Sequence, residues 1–255
     1  MANIYSHSRL CAFEQCPLKY KFRYIDNLIP DIKHTIEGFL GNQVHEALQW
    51  IYQEVVGGDI PDLDSVIDFY INNWNKNFNN EIQITKEEND AEYYFNQGIK
   101  FIIDYYLSHT PFKDNTIAIE KKIIAPLDAE EKYMIQGYID RLVFNKEENI
   151  FEIHDYKTGN TLKSQEELDK DRQLALYSIG IKNMFPHVND IHLIWHFLAY
   201  NKKMISKRTD EDLERLKQEV IDLINRIEST TEFASNPSCL CGWCEFRSYC
   251  PEINK

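Results

Sequence analysis

Ile150-Phe-Glu-Ile-His-Asp-Tyr-Lys-Thr-Gly159 is the stretch from which the rest of the chain can be read. Side chains alternate across a strand, so Phe151, Ile153, Asp155 and Lys157 share one face while Glu152, His154 and Tyr156 take the other. Two charges therefore continue an apolar, core-facing row. A carboxylate and an ammonium at the mouth of a buried face lose hydration unless they pair or bind an ion, which suits them to chemistry better than to scaffolding. Thr158-Gly159 ends the strand.

Working outward, Thr116 to Ala125 and Tyr133 to Phe144 show the same β-branched and aromatic alternation, with Asn145-Lys-Glu-Glu-Asn149 as a turn. Three consecutive antiparallel strands are expected, and the last hairpin brings Asp140, in Gly137-Tyr-Ile-Asp-Arg-Leu142, beside Asp155. Before the strands the chain reads as helical, with Pro17 at a helix start and periodic segments at Ile36 to Val56, Leu63 to Phe78 and Ala91 to Leu107. After them come one helix from about Gln165 to Phe185, a strand at Ile191 to Tyr200, a helix around Glu211 to Ile227 and a cysteine-rich tail. The expected fold class is mixed α/β, a central mixed sheet flanked by helices. No repeat or Gly/Ser linker divides residues 1–255, so one domain is expected, with 61–110 as a helical insertion and 236–255 as the tail.

The 255 residues are 43% hydrophobic, enough for a sizeable core without disulfides. Met1 to Arg9 lacks the apolar core of a leader and no run suits a bilayer, so a soluble cytoplasmic protein with no membrane partner is expected. In that reducing setting six cysteines are expected to bind a metal or cluster, or to be buried. The net charge of −13 opposes bulk electrostatic capture of nucleic acid. Much of the acid falls in short runs, Glu87 to Glu92, Asp128 to Glu131 and Glu166 to Asp171, expected to be solvated. Basic residues bunch in Lys19-Tyr-Lys-Phe-Arg-Tyr24, interleaved with aromatics, and in Lys202 to Arg208. Such stretches can stack bases and track phosphates, or form an ordinary amphipathic helix and a surface turn.

Asp140 and Asp155 together make a hard-oxygen site for magnesium or manganese, the chemistry that handles phosphodiesters, and Lys157 is placed to orient the attacking water or stabilise the transition state. An isolated Asp-x-Lys is more often a surface ion pair. Its company argues otherwise. In Gly41-Asn-Gln-Val-His-Glu-Ala-Leu48, Gly41 and His45 share a helix face, so the glycine permits close approach to the sheet and the imidazole reaches toward the metal. In Gln173-Leu-Ala-Leu-Tyr177, Gln173 and Tyr177 project together.

In this order and spacing the set resembles the PD-(D/E)XK nuclease superfamily, specifically its RecB-like branch, whose motifs are G-x-x-x-H, G-x-x-D-R, D-x-K-T-G and Q-x-x-x-Y. The resemblance runs from Gly41 to Tyr177, with Ile139 where the superfamily's name has proline. It implies a restriction-endonuclease-like core, His45, Asp140, Asp155 and the Tyr156 carbonyl as metal ligands, Lys157 as catalytic, and Gln173 and Tyr177 in support.

The tail reads Cys239-Leu-Cys241-Gly-Trp-Cys244-Glu-Phe-Arg-Ser-Tyr-Cys250-Pro251, and Cys16-Pro17 stands near the other end. A local Cys₄ zinc site in the tail is one account. The single residue between Cys239 and Cys241 is tighter than usual zinc spacing, and Cys16 is left unexplained. The nucleases resembled here include a subgroup with one N-terminal cysteine and a later C-x₂-C-x₅-C. That resemblance implies a [4Fe-4S] cluster on Cys16, Cys241, Cys244 and Cys250, stabilising the fold by closing a long loop. Cys11 and Cys239 are left over.

The same resemblance covers AddB exonuclease parts and CRISPR-associated adaptation nucleases. It implies an exonuclease trimming single-stranded DNA, in repair or in CRISPR spacer capture, with a helicase subunit or a CRISPR integrase as a possible protein partner. The alternatives are a structure-selective endonuclease that dimerises to cut two strands, and a non-catalytic clamp on DNA ends.

Overall fold

The computed structural model describes residues 3–84 and 88–253; Glu87 of the acidic run, and the outermost residues of the expected domain and tail, lie outside the described residues. The chain opens with β1 (Asn3–Ser6), α1 (His7–Gln15) and α2 (Pro17–Tyr24). Pro17 occupies the first turn of α2, where its missing N–H costs nothing. A two-residue strand, β2 (His34–Thr35), leads into α3 (Ile36–Gly57). Thr35 caps α3 by accepting from the Gly38 N–H, and Gly58 ends it in the left-handed region at φ 101°, a conformation that glycine adopts without strain. Then follow α4 (Leu63–Asn77), β3 (Ile82–Gln83) and α5 (Ala91–His109), with α4 and α5 packed on α3.

The three expected strands are β4 (Thr116–Pro126), β5 (Tyr133–Asn145) and β6 (Ile150–Lys157). Beyond them the structure corrects two expectations. The single helix over 165–185 is two, α6 (Gln165–Lys170) and α7 (Gln173–Met184). Asp171 breaks it: its carboxylate accepts the Gln173 N–H at 2.8 Å and pairs with Lys163 at 2.6 Å, which diverts the backbone before α7 begins. The strand expected over 191–200 is β7 (Asp190–Phe197), ended by a 3-10 turn at Leu198–Tyr200 and a left-handed Asn201. The chain then folds back as β8 (Lys202–Ser206), before α8 (Asp210–Ser229), which Thr209 opens with a capping box.

The main sheet is mixed, in the order β1-β5-β6-β7-β8, with β4 on the far side of β5. β4, β5 and β6 are antiparallel, β7 runs parallel to β6, and β8 is antiparallel to β7. A parallel pair needs a crossover, and α6 and α7 supply it. One face of the sheet packs on α1, α7 and α8 through Phe13, Ile123, Phe151, Ile153, Leu176, Trp195 and Ile224. The other packs on α3, α4 and α5 through Leu40, Val44, Tyr52, Tyr70, Phe101 and Tyr156. Phe151 and Ile153 thus lie in one core and Tyr156 in the other, as strand alternation requires. Among the described residues no helix is long and apolar enough to cross a membrane.

Candidate active site

The site forms where the sheet forks. On one side β5 pairs with β4 along its length; on the other it pairs with β1 over Tyr133–Gln136 and with β6 over Arg141–Asn145. Between those partners lies Gly137-Tyr-Ile-Asp140. The β5–β6 register ends at Arg141 opposite His154, so Asp140 and Asp155 take the next position on each strand, flanking the opening. In place of a ladder bond, the Tyr156 N–H donates to Asp140 Oδ2 at 3.0 Å.

Asp155 is almost wholly buried. Its Oδ1 accepts from Lys157 Nζ at 3.0 Å and from Gln173 Nε2 at 2.9 Å. Its Oδ2 forms an ion pair with the Lys157 ammonium at 2.7 Å. Lys157 also donates to Gln173 Oε1 at 3.0 Å, so the amide holds both members of the pair. Burial alone would lower the Lys157 pKa, but the Asp155 carboxylate outweighs it and keeps the amine above its ordinary value, fully protonated. The Asp140 carboxyl is pushed up to about 7, first by burial and then by repulsion from Asp155. Tyr177 lies over Gly137, where an added Cβ would overlap its ring. The glycine in one motif thus makes room for the tyrosine in another.

His45 approaches from α3. Its Nε2 lies 2.8 Å from the Tyr156 carbonyl and therefore carries the proton, which leaves Nδ1 facing Asp140 Oδ2 at 3.5 Å. An added Cβ on Gly41, one turn earlier, would sit 3.3 Å from Thr158 Oγ1, tight enough to press the helix away from the end of β6. Glu120 on β4 completes the group: His45, Glu120 and Asp140 each present a ligand atom within 4.8 Å of the other two. This cluster fits a divalent cation, which would relieve the crowding that raises Asp140. Burial also raises the Glu120 carboxyl.

Sequence reasoning missed Glu120, because alternation along β4 gives it no distinction. It falls between the pairs Ile119–Arg141 and Lys121–Ile139, so the β4–β5 register sets it opposite Asp140, with a left-handed φ of 47°. Conversely, Asp155 is turned toward Lys157 and Gln173 rather than into the three-ligand group. The Tyr156 carbonyl, engaged by His45, retains a second lone pair.

Behind the site, Arg141 is buried and stacks on the Tyr52 ring with its guanidinium carbon 4.1 Å from the centroid. It donates from Nε to the Tyr156 hydroxyl at 3.1 Å, from Nη1 to Asp114 at 3.1 Å, and from Nη2 to His154 Nδ1 at 2.9 Å. His154 Nδ1 must then accept, so the proton in its 2.9 Å contact with His196 belongs to His196 Nε2. Burial holds both imidazoles well below their ordinary pKa, keeping them neutral. This network fixes the side chains on either side of Asp155.

Away from the carboxylates, Cys16, Cys241, Cys244 and Cys250 line one cavity of about 130 Å³, walled by Leu18, Phe22, Trp243 and Phe246. All six cysteines are free thiols. Backbone N–H groups point at two of the sulfurs, Asn236 N to Cys16 Sγ at 3.4 Å and Ser238 N to Cys241 Sγ at 3.3 Å. Cys239 does not line the cavity, and Cys11 lies apart, beside His7 and Arg172. The expected basic stretches are largely engaged: Lys19 and Arg23 pair with Glu245, Lys21 with Asp26, and Lys207 with Asp190, while Arg208 donates to the Leu168 and Asp171 carbonyls.

A family model of the PD-(D/E)XK nuclease superfamily matches residues 4–251. No curated protein matches the sequence. Among solved structures, a candidate exonuclease from Eubacterium rectale aligns over 93% of this chain and 86% of its own at 12% identity, with a TM-score of 0.54, a likeness of fold. The structure of SSO0001 aligns over 93% and 95% at 13% identity, with a TM-score of 0.36.

Proposed function

Because this chain belongs to the PD-(D/E)XK nuclease superfamily, we propose that it is a divalent-metal-dependent DNA exonuclease of the RecB-like branch, trimming single-stranded ends in repair or CRISPR spacer capture. The placement of Asp140, Asp155 and Lys157 around one opening in the sheet carries this reading. His45, Glu120, Asp140 and Asp155, with the free lone pair of the Tyr156 carbonyl, would hold magnesium or manganese. When bound, the ion activates water and neutralises charge on the phosphoryl oxygens.

The chain's own groups do the rest. Lys157, steadied by Gln173, donates toward the attacking water or a phosphoryl oxygen as charge develops there. Asp155 keeps that amine charged, and Tyr177 closes the floor beside Gly137. The ionised forms of Asp140 and Glu120 stand ready to attract the cation. The intact lysine and aspartates favour catalysis over a clamp on DNA ends. The RecB-like branch and the exonuclease mode rest on the four motifs; the Eubacterium rectale neighbour is a relative in fold that carries an exonuclease name.

The second part of the proposal is a [4Fe-4S] cluster on Cys16, Cys241, Cys244 and Cys250. Supporting it, the four thiols line one cavity, and the backbone N–H groups of Asn236 and Ser238 point at two of the sulfurs, as hydrogen bonds to cluster thiolates do.

The test uses anaerobically purified protein, with metal content and cleavage measured on one preparation. We expect about four irons per chain, manganese-dependent loss of nucleotides from labelled linear single strands, and covalently closed circles left intact. Cut circles would replace the exonuclease by an endonuclease. Parent protein no more active than Lys157→Ala would leave the clamp, and zinc in place of iron would overturn the cluster alone.

A further inference from the structure

The candidate metal cluster opens into a cavity of about 330 Å³ lined by Gly41, Asn42, His45, Glu120 and Asp140. A second cavity of about 290 Å³ lies beyond it, toward the start of α3, and Asn42 lines both. Gly38 and Asn42 are one helical turn apart, so the two cavities follow the same side of α3 over about 10 Å from His45 to Gly38. The far wall of the second is Trp243, carried on the tail between Cys241 and Cys244, with Arg23 and Lys33 beside it.

Trp243 is 57% exposed, although its indole is large and apolar. Its ring also walls the cysteine cavity, so the tail's fold fixes its position. The cations nearby are neutralised: Arg23 pairs with Glu245 at 2.6 Å and Lys33 with Glu81 at 3.2 Å. The Asn42 side chain makes no hydrogen bond among the described residues. This end of the groove, with an exposed indole, paired cations and an unpaired amide, suits an aromatic, hydrogen-bonding and uncharged group better than a phosphate.

We propose that this groove is the strand track leading to the cut, and that Trp243 stacks an unpaired nucleobase held a small number of nucleotides from the scissile phosphate, with Asn42 bridging the two cavities. The proposal rests on the nuclease reading above and names how that site selects single strands. A paired base is already stacked on its neighbours and cannot lie flat on the indole without leaving the helix. Stacking is indifferent to sequence, so the groove confers strand-state selectivity without base selectivity.

The experiment compares the parent with Trp243→Ala and Trp243→Phe, all of equal thermal midpoint, on labelled single strands. With manganese, Trp243→Ala should raise KM about tenfold and leave kcat within about twofold, and Trp243→Phe should restore most of the loss. An abasic residue walked along the strand should weaken the parent at one position and have no effect there on Trp243→Ala. Without metal, strand binding should quench the parent's tryptophan fluorescence, and that quench should vanish in Trp243→Phe. A parent-like KM for Trp243→Ala, or equal sensitivity to the abasic residue at every position, overturns the track while leaving the nuclease intact. Quenching without cleavage by the parent overturns the nuclease and leaves the groove as a strand-binding site. Neither signal overturns both.

Discussion

The backbone N–H of Tyr156 donates to the carboxylate of Asp140, 3.0 Å away, just where the two central strands stop pairing. A side chain thus takes the acceptor position that a strand would have filled, and the sheet opens without stranding that donor. The same carboxyl faces Asp155 from the neighbouring strand, so local geometry and electrostatic cost are set together.

That cost predicts an unusual pH dependence. The Asp140 pKa is raised from its ordinary 3.8 to about 7, so between those values the folded protein holds more protons than the unfolded chain, and metal-free stability must fall as pH rises through that window. Asp140→Asn should remove this slope and stabilise the metal-free protein at pH 8. Manganese should raise the parent's melting temperature at pH 8 and leave that of Asp140→Asn nearly unchanged. Thermal denaturation at several pH values, with and without metal, checks both expectations; a parent equally stable at pH 5 and 8 would refute the first.

Lys157→Ala should lower kcat by roughly a hundredfold to a thousandfold, the usual result of losing a charged transition-state donor. Gln173→Leu leaves the amine in place but removes the amide that bonds both Lys157 and Asp155. A smaller loss, about tenfold, is expected, and single-turnover cleavage ranks the two.

Glu120→Gln tests the ligand that the sequence did not point to. Manganese affinity measured by calorimetry should fall about tenfold or more while the thermal midpoint in metal-free buffer holds or rises, since a carboxyl raised by burial is destabilising when ionised. Unchanged affinity would remove Glu120 from the site.

Gly137→Ala should cost ~1–3 kcal/mol through the clash with Tyr177, an overpacking penalty within the interior. Tyr177→Leu in the same chain should recover part of it. Urea denaturation of the single and double variants reads the coupling.

Much of this was legible beforehand because each signal was local. The α3, α4 and α5 segments have the helical period, β4 to β6 alternate, and the hairpin turn sets the register that brings Asp140 beside Asp155. What escaped depended on distant partners. β1 has only four residues and is a strand because β5 lies beside it. Lys202 to Ser206 pairs with β7, although its charge suggested a surface turn. The break at Asp171 follows from where that carboxylate finds its hydrogen bonds. Glu120 owes its place to the β4–β5 register that sets it opposite Asp140, and Arg141 its burial to Tyr156 and His154 on β6 and to Asp114 ahead of β4.

The cavity shared by Cys16 and the three tail cysteines also orders events during synthesis. In the proposed cluster Cys16 would leave the ribosome more than two hundred residues ahead of Cys241, Cys244 and Cys250 and wait for them unliganded. The strands that carry Asp140 and Asp155 precede the tail, so the candidate metal site can form while Trp243 has yet to be made. If this cavity holds the proposed cluster, its assembly follows the synthesis of the strands that carry Asp140 and Asp155, so a shortage of iron would leave the termini unfastened rather than the sheet unbuilt.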